Sequence, residues 1–398
     1  MASTQEYAHP SDVDHNDPAF IWDPYPIYDA LRRHDPVHHS AAYGGYYLIT
    51  RFEDVRRALA DWETFSSAEL GVTSIPMSVK RDFPEIPLEV DPPEQRRYRA
   101  LITPWFSRSR VDQLEEQVRT ITRELLDAKA GETQIDFVQD LAVPLVGRGL
   151  AVFLNVPDEE SRPWPGWLSD IFHGRMANRQ RADEAGRKLI DYVDRKIAAA
   201  KERPGDDFFS MLATSDYKGR SLTDKEMRGF GVLTMTAGQE TTVNGIGNSI
   251  WYLGSHPDQR DRLRRQPSLI PHAVEEILRF LSPIQLLGRS TTRDVTVSGT
   301  PIPQGSTVAV CYGAANRDET AFESPDECRL GRQHNNHIAF GYGPHTCIGA
   351  PLARLEMRVA LAEVLRRVPD YELDTERIEM TPHGDLRGPW RLPATITR

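Results

Sequence analysis

Thr223-Asp-Lys-Glu226 is a capping-box pattern, and the first proline after it is Pro257. The stretch between them predicts one helix of about 33 residues, roughly 50 Å long at the usual rise per residue. A helix of that length crosses a whole domain, so the remaining elements have to be arranged around it. Its middle, Leu233-Thr-Met-Thr-Ala-Gly-Gln-Glu-Thr-Thr242, is apolar and then abruptly polar. Gly238 costs about 1 kcal/mol relative to alanine in a helix interior. A glycine followed by an acid and two threonines invites a local opening of the hydrogen-bond ladder. A turn between two shorter helices is the alternative reading of the same residues.

The second constraint is a cysteine. Only Cys311, Cys328 and Cys347 occur in 398 residues, and their odd number and irregular spacing argue against a disulfide framework. A reducing, cytoplasmic compartment follows. Cys311 lies in a strand pattern, Val308-Ala-Val-Cys-Tyr312, and reads as ordinary packing. Cys347 sits inside FGYGPHTCIGAPLAR, from Phe340 to Arg354, among Gly341, Gly343 and Gly349. Those glycines let the backbone turn tightly and let something large come close. A helix from about Ile348 to Val368 starts directly after the cysteine, and its free N–H groups and positive dipole end favour thiolate. A thiolate in a glycine loop, with no partner cysteine, is what an iron ligand needs.

The loop resembles the haem-ligand loop of the cytochrome P450 family, F-G-x-G-x-H-x-C-x-G, and has every fixed residue of it: Phe340, Gly341, Gly343, His345, Cys347 and Gly349. The resemblance implies a mainly α fold with a smaller β region, and haem b between the long central helix and the cysteine loop. Its iron would be ligated by Cys347. Ala237, Gly238, Gln239, Glu240 and Thr241 match A-G-x-[DE]-T, which in the family lies over the distal haem face. Ala237 and Gly238 would then contact the cofactor. Glu240 and Thr241 would be the acid and alcohol of general acid chemistry. Glu276-Ile-Leu-Arg279 matches E-x-x-R, a buried structural clamp behind the cysteine loop. Without the resemblance it is a surface pair worth a few tenths of a kcal/mol.

Haem carries two carboxylates, which suit the fork of arginine. The family draws cations to meet them from three places. Asp91-Pro-Pro-Glu-Gln95-Arg-Arg-Tyr-Arg99 matches D-P-P-E-H-x-x-x-R, with Arg99 in place and Gln95 where histidine is usual. Glutamine still donates a hydrogen bond. Arg289 and His345 are the other two. Phe340 would exclude water near the sulfur, and Gly349 would leave room where Cys347 meets the ring. Cys328 stands where relatives commonly carry phenylalanine.

Bulk properties narrow the partners. A net charge of −10 argues against nucleic acid. No nucleotide-binding glycine motif occurs in a strand–helix context. No run of 18 apolar residues suggests a membrane span, and the polar, acidic start lacks the regions of a signal peptide. Residues 1–23 read as a partly loose leader, with order beginning near Pro24–Leu31, and 24–398 as one domain. Within it, Gly45–Thr50 reads as a strand, Arg51–Ala60 as a helix, and 66–92 as a long proline-studded loop. Helices follow at about 94–106, 108–128, 137–154, 159–172 and 180–203, with strands near Val295–Val297 and Thr307–Cys311.

The implied activity is that of a monooxygenase, inserting one oxygen atom of O₂ into an organic substrate. Electrons would come from NAD(P)H through a separate ferredoxin reductase and ferredoxin, to a monomer in the cytoplasm. An acidic ferredoxin would dock near Cys347, where Arg96, Arg97, Arg99, Arg108, Arg110, Arg354 and Arg358 gather on family precedent. The family's substrate-contacting segments supply Leu70, Val72, Ile75 and Met77; Trp167, Ile171 and Phe172; Leu233 and Ala237; Ile284, Leu286 and Leu287; and Trp390. Gln285 is the one polar handle. Such a lining suits a compact, mostly apolar guest. The run Pro87–Arg96 is similar to the camphor-hydroxylating branch, which tilts the expectation toward a terpenoid or small aromatic. Tailoring of a larger natural product is the alternative, with Arg175 and Arg179 anchoring a carboxylate. A peroxide-driven enzyme or a non-catalytic haem sensor would be expected to lack the Glu240-Thr241 pair.

Overall fold

A computed structural model describes residues 13–77 and 81–397, apart from the side chains of 175 and 176. The central helix runs Asp224–Ser255. Its capping box is complete: the Thr223 side chain accepts from Glu226 N, and Glu226 accepts from Thr223 N at 2.6 Å. The opening expected at Gly238 is not there. Thr241 Oγ1 instead donates back to Ala237 O at 2.9 Å, as Thr234 and Thr236 do one turn earlier, so these hydroxyls are satisfied without breaking the ladder. The central helix ends where expected, at Ser255 just before Pro257. Pro257 opens the next helix, Pro257–Arg265, at a position where its missing N–H costs nothing.

The helices Val143–Leu154, Trp164–Ala177, Arg179–Glu202, Ile270–Leu281 and Ala350–Arg367 all pack on the central one. Two neighbours approach closely at glycines, one through its backbone, which cannot yield, and one through a methionine side chain, which would have to shift. A Cβ at Gly229 would sit 2.3 Å from Pro84 O, and one at Gly245 2.9 Å from Met357 Sδ. The helix expected over 108–128 is two pieces, Arg108–Asp112 and Glu115–Asp127. Phe137–Leu154, although interrupted by Gln139, Asp140 and Arg148, is the one helix among the described residues long and apolar enough to suit a bilayer. By length and composition it could cross one, but 67% of it is buried inside the protein, as a core helix is.

Order also begins earlier than Pro24. Asp17 caps a helix over Pro18–Trp22 whose Phe20 is buried. His15, also buried, lies 2.8 Å from Tyr46 Oη and 2.9 Å from Ile75 O.

The main sheet has five strands in the order Val37–Ser40, Tyr46–Ile49, Thr307–Cys311, Leu286–Thr291 and Phe65–Ser66. Tyr46–Ile49 and Thr307–Cys311 run parallel, and the other pairs are antiparallel. In the strand Leu286–Thr291 successive side chains alternate between faces. Leu287 and Arg289 face one way. Leu286 faces the other and is buried with Ile75 and Tyr46. That alternation corrects the assignment of Leu286 to the substrate.

The E-x-x-R pair is fully buried. Arg279 Nε and Nη2 donate to Glu276 at 3.0 and 2.9 Å, and its remaining donors reach the carbonyls of Asn316, Pro325 and Glu327. Glu276 accepts further bonds from Arg329 N, Arg332 Nε and Asn335 Nδ2. The pair thus gathers the irregular segment 316–335, which leads into the cysteine loop.

Candidate active site

Gly341 and Gly343 take φ of 77° and 74°, values that a side chain disfavours, and a Cβ at Gly343 would also lie 2.7 Å from Leu59 O. These two turns bring Cys347 N to donate to Phe340 O at 2.8 Å. The sulfur faces a cavity of about 640 Å³. It is open to that cavity yet surrounded by protein. Burial pushes the thiol above its ordinary pKa, although the N–H groups of Gly349 and Ala350 and the cations Arg99 and Arg354 pull it down. The helix start therefore does reach the sulfur, but the protein alone does not favour thiolate as the sequence suggested. A cation at the sulfur is what reverses that balance. At Gly349 a Cβ would meet Cys347 Sγ at 3.8 Å and Phe106 at 4.0 Å, both ordinary contacts. The need for glycine there is not imposed by the protein's own atoms.

Arg289 is 2% exposed; its Nη1 donates to Gly288 O at 2.7 Å, and its guanidinium also bonds the Tyr312 hydroxyl. It has no carboxylate partner among the described residues. Arg99 lines the same cavity, its guanidinium likewise without an ion pair or hydrogen bond among the described residues, and burial lowers its pKa. Buried guanidinium groups are costly unless an anion meets them. Two of them on one cavity wall fit a guest that brings two carboxylates, as haem does.

The other two expected contributors behave differently. His345 is driven down to about 3, first by burial and then by the Arg289 and Arg99 cations, so it is a neutral ring and not a third cation. Its Nε2 lies 3.2 Å from Ser67 Oγ. Gln95 spends its amide N–H on Pro344 O at 2.7 Å. That bond braces the cysteine loop, and Gln95, whose amide carries a second N–H, lines the cavity as well.

Three acids near the loop were not found from sequence, or only through a neighbour. Glu275, beside the recognised Glu276, pairs with Arg354 at 2.7 and 2.8 Å and lies 3.1 Å from His337 Nε2. Burial raises its pKa, but His337 and Arg354 override that and hold it at about 2. Arg354 in turn lies over the Phe340 ring, 4.3 Å from its centroid. Glu356 is fully buried, its Oε1 without a partner, and burial raises its carboxyl well above the usual carboxylate range. Its only sequence signal is an acid on the apolar face of the helix after Cys347. Glu85 lines the cavity, and burial raises it to about 7.

Across the cavity stand Leu233, Ala237, Gly238, Glu240 and Thr241, with Ile171, Phe172, Ile284 and Leu287. Glu240 is buried, and its Oε1 lies 3.4 Å from His173 Nε2. Gln285 is not part of this lining. It is buried, with Nε2 bonded to Leu281 O and Ser282 O at 3.1 and 2.6 Å. Trp390 also stands apart, its ring edge-on to His173 at 4.1 Å. Val72 and Ile75 are core, and Leu70, Met77 and Trp167 lie outside the cavity. Arg179 lines it, with an unforeseen polar set of Arg81, Glu85, Asp183 and Arg187. The Arg175 side chain lies outside the described residues. Cys311 and Cys328 are thiols that burial pushes up, Cys328 to about 12.

A family model described as Cytochrome P450 matches residues 162–383. Cytochrome P450 130 of Mycobacterium tuberculosis is 36% identical over 389 residues, spanning 94% of this chain and 95% of that protein. Among solved structures, the Bacillus subtilis bacillaene polyketide synthase cytochrome P450 PksS superposes with a TM-score of 0.89 at 30% identity, covering 97% of this chain and 100% of that one. A mutant of P450 EryK in complex with erythromycin B gives 0.86 at 32% identity, with 94% and 96% covered.

Proposed function

The chain belongs to the cytochrome P450 family, and from that premise we propose which residues carry its chemistry and on what class of substrate. It is a monooxygenase that holds haem b through a cysteine thiolate. We assign that ligand to Cys347. Bound haem supplies the activation of O₂, one atom entering the substrate and the other leaving as water. Arg99 and Arg289 hold the two haem carboxylates, and the neutral ring of His345 assists as a hydrogen-bond donor. Gln95 and the Glu276–Arg279 clamp fix the loop, while Phe340 under Arg354 keeps water from the sulfur side. Glu240 relays protons through its carboxyl group, and Thr241, which lines the same cavity, supplies the hydroxyl. The observation that carries this reading is the single cavity reaching from Cys347 past two unpaired guanidinium groups to Glu240 and Thr241.

The substrate reacts among Leu233, Ala237, Ile284 and Leu287, so its reacting end is hydrocarbon-rich. The charged set of Arg81, Glu85, Arg179, Asp183 and Arg187 makes room for a polar remainder. This favours an oxygen-bearing natural-product scaffold over the compact terpenoid or aromatic expected first. The erythromycin B held by EryK and the polyketide system of PksS agree with it. A cytoplasmic ferredoxin and its reductase deliver the electrons to a monomeric enzyme. The test is a spectral titration of the ferric protein. Macrolide-sized, polar-ended compounds should shift the haem from low to high spin. Shifts from terpenoids or simple aromatics alone would restore the smaller substrate.

A further inference from the structure

Beside Glu240 lies a group of side chains that the reaction above does not use. His383 is 1% exposed. Its Nδ1 is 2.5 Å from Asp385 Oδ1, while its Nε2 is buried with no hydrogen-bond partner. Glu240 is 3% exposed, and its one polar side-chain contact among the described residues is His173 Nε2, at a long 3.4 Å. A buried imidazole lone pair and a buried carboxylate are thus both short of partners, and both sit at one point. One ligand atom from each of His173, Glu240 and His383 lies within 4.8 Å of the other two.

We propose that His173, Glu240 and His383 bind one divalent cation of the zinc class. Two imidazoles and a carboxylate are a usual three-residue zinc set, with a fourth position left for water. Metal–nitrogen bonds of about 2.0–2.1 Å put neighbouring ligands of a tetrahedral site about 3.4 Å apart, and the His173–Glu240 pair already has that spacing. Asp385 occupies the place of the carboxylate that commonly receives the second N–H of a metal-bound histidine, fixing its tautomer and turning Nε2 outward. Trp390 and Phe172 pack against the two rings and limit water there.

The three ligands come from three elements: the helix Trp164–Ala177, the central helix and the turn after Thr381. A bound cation ties the first to the second above the substrate cavity. It also occupies the carboxylate of Glu240, so the metal inhibits turnover. That inhibition, unlike the site itself, rests on the proton-delivering role proposed for Glu240.

The haem-loaded enzyme is titrated with zinc chloride in a calorimeter. One zinc per chain should bind. His173→Ala and Asp385→Asn should weaken it at least tenfold, in line with the 10–100-fold effect of such supporting groups. Zinc X-ray absorption should show two imidazole ligands. Both variants leave the buried His383 in place, and an unchanged carbon-monoxide spectrum confirms that they fold. Zinc should slow reductant-driven turnover, and a chelator should restore it. Equal affinity in the parent and both variants, or no stoichiometric binding by the parent, overturns the site. Stoichiometric binding that leaves turnover unaltered supports the site and overturns the role given to Glu240.

Discussion

Gln95 Nε2 donates to the carbonyl oxygen of Pro344 across 2.7 Å, joining the helix Glu94–Ile102 to the cysteine loop 249 residues further along. Gln95 is wholly buried, and no other bond is recorded for its amide nitrogen among the described residues. Gln95→Leu should therefore leave a partly buried carbonyl without its donor, at a cost of about 0.5–1.5 kcal/mol. We expect a lower midpoint in urea unfolding and a smaller haem-loaded fraction. Gln95→His, which can still donate, should recover most of both. Equal stability of the leucine and parent proteins would show that the bond contributes nothing.

Haem ligation should depend on Cys347 alone. Cys347→Ser should abolish the thiolate signature of the carbon-monoxide complex. Cys311→Ala and Cys328→Ala should keep it, because both thiols are packed away from the cavity and burial holds them protonated. Loss of the signature in either control, with haem retained, would contradict the assignment.

What sequence alone revealed divides along a physical line. Local signals were read correctly where the chain itself determines the outcome. The capping box at Thr223 and the turns around Cys347 stand where the residues implied, whereas the burial of the Glu276–Arg279 pair was implied only by the family resemblance. The misreadings involve partners distant in sequence. Gln95 lines the cavity as expected, but nothing nearby in sequence reveals that Pro344 takes one of its two N–H groups. Leu286 and Leu287 are equally apolar, and only the register with Thr307–Cys311 decides which one faces the cavity. His345 was counted as a cation because its burial beside Arg99 and Arg289 is a tertiary fact. His173 and His383 carry no motif and meet Glu240 only through folding.

Thr241→Ala should uncouple the reaction. Reductant would still be consumed, but hydrogen peroxide should replace much of the product. Glu240→Gln should instead slow turnover several-fold, because it removes the acid and keeps the shape. The ratio of product to reductant consumed separates the two. An unchanged ratio in Thr241→Ala would remove Thr241 from the proposed chemistry.

The docking face for ferredoxin is narrower than the arginine count suggested. Arg354 is committed to Glu275 and Phe340, Arg97 to Glu94, and Arg110 lies over the Trp105 ring at 3.6 Å. Arg99 faces the cavity. Arg96 and Arg108 remain exposed and Arg358 partly so, and the turn carrying Arg108 packs on the helix after Cys347. Charge-reversing Arg108 and Arg358 together should lower the ferredoxin-limited rate several-fold and flatten its fall with ionic strength. A double variant with the parent's rate and salt dependence would place the partner elsewhere.

Glu85 should make stability depend on pH. Its carboxyl is raised from 4.5 to about 7, chiefly by burial and further by Glu89, with the Arg81 cation opposing. Below about 4.5 both folded and unfolded chains keep this proton, and the group costs nothing. Between about 4.5 and 7 the unfolded chain ionises while the folded one does not, so stability falls as pH rises. Above about 7 the loss is complete and constant. A shift of that size corresponds to roughly 3–4 kcal/mol between its two ends. Glu85→Gln cannot ionise and should remove this part of the slope, leaving the variant the more stable protein at pH 8 relative to pH 5. Urea unfolding of both proteins at the two pH values measures it, and parallel changes in the two would mean that Glu85 is already ionised in the folded chain.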